Sequence, residues 1–67
     1  MKINYLSNLK LLRKEAGMSQ EDLANALEIE RSTVAKYETG DRSPDVEMLC
    51  KIADVLHISI DELLGRN

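Results

Sequence analysis

The stretch Gln20-Glu21-Asp22-Leu23-Ala24-Asn25-Ala26-Leu27-Glu28-Ile29-Glu30-Arg31-Ser32-Thr33-Val34-Ala35-Lys36-Tyr37 decides the fold. Apolar or small residues recur at Leu23, Ala24, Leu27, Ile29, Val34 and Tyr37 with exposed-type residues between them, a 3.6-residue pattern interrupted once, near Glu28. The interruption reads as a turn between two helices. Ala24 falls where the first helix must admit the second closely, since a larger side chain there would push the axes apart. Two short helices held at a fixed angle make a candidate helix-turn-helix unit over about residues 20–39.

Working outward, Leu6, Leu9, Leu12 and Ala16 keep helical spacing, and Gly17 supplies a left-handed terminator, so a first helix is predicted from about Leu6 to Ala16. Ser19 and Asp22 form an acidic variant of the capping box at the start of the second helix, Gln20 to Leu27. The third, Arg31 to Thr39, closes at Gly40. Asp41, Arg42, Ser43 and Pro44 are the longest polar stretch, with Ser43 placed as N-cap and Pro44 at the first helical position of a fourth helix. Val46, Leu49, Cys50, Ala53 and Leu56 mark its expected buried stripe, ending near His57. Ser59 and Glu62 form a second capping box for a short fifth helix, Ile60 to Leu64, ended by Gly65. No strand pattern or internal repeat interrupts this order. The expectation is an all-α protein: a compact five-helix bundle, one domain over residues 1–67.

Composition agrees with a small aliphatic core, since 43% of residues are hydrophobic and only 3% aromatic. At 67 residues such a core is marginal without help, so dimerisation is a natural expectation. The one cysteine, Cys50, cannot form an internal disulfide, and there is no apolar run of signal-peptide or membrane-spanning length, which points to a soluble cytoplasmic protein with no membrane partner. The net charge of -3 argues against a general polyanion binder. Its distribution answers that objection: up to Pro44 there are seven basic and seven acidic residues, and from Asp45 onward two basic and five acidic. A locally positive face near Arg31 and Lys36 is therefore allowed.

Three runs together resemble the Cro/repressor-type (XRE-like) helix-turn-helix family: Met18-Ser19-Gln20-Glu21-Asp22-Leu23-Ala24, Arg31-Ser32-Thr33-Val34-Ala35-Lys36-Tyr37-Glu38-Thr39-Gly40, and the tail from Pro44 through Ile52-Ala53 and Leu56 to Asp61-Glu62-Leu63-Leu64. The resemblance covers nearly the whole chain and implies a lambda-repressor-like DNA-binding domain. In that family the third helix lies in the major groove, which would place Arg31, Ser32 and Lys36 at base edges. Helical spacing agrees, because Ser32 and Lys36 are one i,i+4 step apart and Arg31 projects from the first turn. Gln20 resembles the family glutamine that meets a backbone phosphate at the start of the second helix. Thr33, Thr39 and Arg42 flank the reading helix as further phosphate candidates. Arg13 and Glu38 match positions that form a partly buried ion pair between the first and third helices.

The implied function is a sequence-specific transcriptional regulator, expected to be a repressor, binding double-stranded DNA as a homodimer. Ile58, Ile60, Leu63 and Leu64 offer more aliphatic area than one short helix needs and are candidate dimer contacts; closure of the monomer core is the competing role. Two departures from the family pattern favour the alternative, a protein-binding adaptor of antitoxin-like or anti-regulator type that uses the acidic C-terminal third. Glu28 stands where the family turn usually has Gly, and Glu30 where a Ser or Thr would cap the third helix. No enzyme is expected, because no nucleophile-base pair, phosphate loop or paired carboxylates in a cleft is identifiable. Nor is a metal or other cofactor: Cys50 and His57 share a helix face, but two ligands do not make a metal site, and a core thiol beside a helix-end imidazole is the simpler reading.

Overall fold

The computed structural model describes residues 8–65. Among these residues five helices follow in order: α1 Leu9–Glu15, α2 Gln20–Leu27, α3 Arg31–Thr39, α4 Val46–Leu56 and α5 Ile60–Leu64. Leu6, expected in the first helix, lies outside the described residues. At the head of α2, the Asp22 N–H donates to Ser19 Oγ and the Ser19 N–H donates to Asp22 Oδ2, both at 3.0 Å. Ser59 and Glu62 close the same reciprocal box on α5. Each box satisfies two backbone donors that a helix start would otherwise leave without partners.

The ends of α1, α2 and α4 share one device. In each, a residue with left-handed backbone follows the helix, and the next N–H reaches back five residues: Met18 to the Arg13 carbonyl, Ile29 to Ala24 and Ile58 to Ala53. The left-handed residue is Gly17 in the first case, but Glu28 (φ 61°) and His57 (φ 57°) in the other two. A side chain there costs about 1–2 kcal/mol. Packing of Ile29 and Ile58 against the core offsets that cost. Glu28→Gly is accordingly expected to raise stability by about 1 kcal/mol, read as a higher urea midpoint at unchanged m-value. A lower midpoint would mean that the Glu28 side chain makes a contribution the strain argument omits.

The start of α4 departs from the sequence-based expectation. Asp45, not Ser43, is the N-cap, its carboxylate accepting the Met48 N–H at 2.8 Å, and Pro44 lies outside the helix. Asp at this position also complements the helix dipole, which a serine hydroxyl does not. Val46 is 76% exposed and Cys50 is exposed, so neither belongs to the buried stripe and Cys50 is no core thiol. The inward face of α4 is Ile52, Ala53 and Leu56, with Leu49 half-buried beside them.

The core is aliphatic, joining Leu9 of α1, Leu23, Ala24 and Leu27 of α2, Val34 and Tyr37 of α3, these α4 residues and Leu63 of α5. Ala24 is buried, and its helix, α2, is in most extensive contact with α3. Leu63 is fully buried, which removes it from the candidate dimer contacts: its side chain closes the monomer's own core. Ile58 and Ile60 pack partly against that core, and Leu64 is half-buried.

Candidate nucleic-acid interface

A chain of polar contacts links α1, α2 and α3. Arg13 Nε donates to Glu38 Oε2 at 2.7 Å, with both side chains less than a tenth exposed, and its Nη1 donates to the Met18 carbonyl at 2.8 Å. Gln20 Nε2 donates to the other Glu38 oxygen at 3.0 Å, and Gln20 Oε1 accepts from Arg31 Nη1 at 3.4 Å. The order Arg13, Glu38, Gln20, Arg31 thus runs from the buried end of the bundle to its surface. Two charges removed from water need such a set of partners, because a buried ion with unmet hydrogen bonds is costly. Among the described residues no buried side-chain nitrogen or oxygen lacks one.

Burial alone would push the Glu38 carboxyl up. Hydrogen bonds from Arg13 and Gln20, with the positive charges of Arg13 and Lys10, outweigh it and hold the group below its ordinary value of 4.5. The Ser19 backbone N–H, and then its hydroxyl, lower Asp22 in the same direction. A carboxylate whose folded value is depressed adds stability above its unfolded value and loses it as pH falls through the folded one. Stability is therefore expected to drop as pH falls below about 4.5, and Glu38→Gln should flatten that acid limb in urea titrations taken from pH 6 to pH 3. An acid limb as steep as that of the wild type would contradict the role given to this carboxylate.

On the outer side of the same helix pair, Arg31, Ser32 and Lys36 are all exposed, opposite buried Val34 and Tyr37. Thr33 is half-buried and, with Arg42, Ser43, Tyr37 and Met48, lines a shallow depression of about 350 Å³ between α3 and the start of α4. Arg42 is exposed on the loop that follows α3, and its backbone N–H donates to the Lys36 carbonyl at 3.3 Å. Thr39 is placed differently from the rest. Its hydroxyl donates within the chain, toward the Lys36 carbonyl at 3.2 Å and Asp41 Oδ2 at 3.1 Å, so the proton a phosphate would need is already committed. Sequence reasoning missed the Gln20 contacts to Glu38 and Arg31, residues 18 and 11 positions away. Only the fold brings those groups together.

Two short helices packed on one another, with Ala24 buried in the first and the polar face of the second open, define a helix-turn-helix module. The family model described as helix-turn-helix matches residues 9–63. Over 54 residues the chain is 46% identical to the cryptic phage CTXphi transcriptional repressor RstR of Vibrio cholerae, covering 81% of this chain and 48% of that protein. Over 61 residues it is 44% identical to the HTH-type transcriptional regulator AnsR of Bacillus subtilis, covering 91% of this chain and 53% of that one. A crystal structure of a transcriptional regulator from Listeria innocua superposes with a TM-score of 0.82 at 40% identity, over 94% of this chain and 59% of the other. The chain belongs to the Cro/repressor-type helix-turn-helix family, a family of transcriptional regulators rather than enzymes. It spans about half the length of the curated relatives it matches. No helix among the described residues is long and apolar enough to cross a membrane.

Proposed function

We propose that the domain binds double-stranded DNA in a sequence-specific manner, with α3 in the major groove and Arg31, Ser32 and Lys36 at base edges. The observation that carries this reading is the exposed α3 face itself, linked to α1 and α2 by the chain from Arg13 to Arg31. Arginine in such a position makes bidentate contact with guanine O6 and N7, worth about 1–3 kcal/mol of discrimination. Gln20, Thr33 and Arg42 border that face and serve as phosphate contacts that fix its register.

The reading includes a cytoplasmic repressor that acts as a homodimer on an operator with two related half-sites about 34 Å apart, one DNA turn. RstR, a relative, is named as a transcriptional repressor. Ile58, Ile60 and Leu64 are the half-buried aliphatic groups available for the two-fold contact. A sedimentation experiment that finds only monomer at high micromolar concentration, with and without DNA, would remove the dimer.

The test is binding of specific and random duplexes as a function of salt. Affinity should fall with a log-log slope of about −0.9 per phosphate neutralised. Arg31→Ala should cost about 1–3 kcal/mol on the preferred sequence and much less on random DNA, while Gln20→Ala should weaken both, and the preferred sequence somewhat more because Arg31 loses its partner. Equal losses on both duplexes for Arg31→Ala would contradict its role at the bases.

A further inference from the structure

Of the helices that begin with a side-chain cap in this fold, α2 uses Ser19, α4 uses Asp45 and α5 uses Ser59. The helix with the open polar face, α3, begins instead, like α1, with a residue whose side chain makes no capping hydrogen bond, here Glu30. Only the Glu30 backbone carbonyl is engaged, accepting from Thr33 at 3.0 Å and Val34 at 3.4 Å. Glutamate is outside the group of residues that cap well, so the position gives up local stability. The carboxylate is exposed, has no hydrogen-bond partner among the described residues, and precedes Arg31, whose guanidinium is tethered to Gln20.

We propose that Glu30 is a specificity-determining residue of the interface, its carboxylate accepting the exocyclic N4 amine of a cytosine next to the guanine faced by Arg31. The inference rests on the DNA-reading function proposed above. A reading helix presents its N-terminal residues to base edges, which is where Glu30 stands. An ionised carboxylate only accepts hydrogen bonds, whereas guanine and thymine present O6, N7 and O4 acceptors in the major groove. Cytosine presents its N4 amine as a donor with no acceptor beside it, whereas the adenine N6 amine stands next to the N7 acceptor, which repels a carboxylate, so the pairing of Glu or Asp with cytosine follows from that geometry. The same charge repels phosphates and wrong bases, so Glu30 lowers binding to every site that lacks the cytosine and widens the gap between right and wrong partners.

The experiment is selection from a random duplex library at one fixed salt concentration with the wild-type domain, Glu30→Ser and Glu30→Gln. Serine is the better cap, so Glu30→Ser keeps the fold, which circular dichroism and a urea titration verify. The wild type should enrich a cytosine beside the Arg31-dependent guanine. Glu30→Ser should lose that one preference by roughly tenfold while binding random DNA more tightly and leaving other positions unchanged. Glu30→Gln, which can donate as well as accept, should relax it toward purines. The proposal is overturned if Glu30→Ser selects the wild-type sequence with only a uniform gain in affinity, a result that leaves the role of Arg31 intact. Failure of the wild type to select any motif overturns both readings together.

Discussion

Arg13→Met is expected to destabilise the domain by about 3–5 kcal/mol, because it strands the Glu38 carboxylate in a nearly water-free position. The substitution also removes the donor that holds the Met18 carbonyl, at the point where α1 turns toward α2. A domain of this size has a total stability near the lower end of the usual 5–15 kcal/mol, so most of the variant should be unfolded at 37 °C. The diagnostic is the double variant Arg13→Met/Glu38→Leu. A buried ion pair replaced by apolar groups of similar volume is often neutral or stabilising, so the double variant should recover most of the loss. Urea titrations of the three proteins measure the coupling; a double variant as unstable as the single one would show that the pair is not the origin of the effect. Even when folded, the double variant removes the acceptor of the Gln20 amide, so its Arg31 should be less well held.

Leu23→Ala should cost about 2–5 kcal/mol, since Leu23 is fully buried in the α2 face shared with the rest of the core. Val46→Ala, another truncation of an aliphatic residue, should change stability by less than about 0.5 kcal/mol, because that side chain is 76% exposed. Thermal denaturation of both variants tests the core assignment directly. Comparable losses would place Val46 in the core after all, as its spacing on the helix suggests.

That contrast shows where the sequence is readable and where it is not. The five helices, their order and most of their ends follow from periodicity and from Ser19, Asp22, Ser59, Glu62 and the glycines, whose effects are local. Periodicity identifies a helix face but not how far the neighbouring helix reaches, which is why Val46 and Cys50 look inward in the sequence and are exposed in the fold. Leu63 is the opposite case: its place in an aliphatic surplus leaves a partner surface and closure of the core both open, and the chain's own core takes it up. Competition between Ser43 and Asp45 for the α4 cap is settled by the register of the loop, which no local rule gives. The left-handed backbone at His57 is not legible locally, because histidine, although enriched in that region over most side chains, adopts it at only a small share of its positions; Ile58 after it matches Ile29 after Glu28. For the site, the Arg13–Glu38 ion pair is legible through the family resemblance, and the neighbours Gln20 and Arg31 are named by it only as candidates. Their connection into one chain of hydrogen bonds was not, because it joins three helices.

Whether α3 reads base sequence is tested by selecting duplexes from a random library with the purified domain at near-physiological salt and sequencing what is bound. The expected result is a shared motif, an inverted repeat with half-sites about one turn apart, whose guanine preference disappears in Arg31→Ala. Recovery of duplexes without any common motif, at an affinity that Arg31→Ala leaves unchanged, would contradict it.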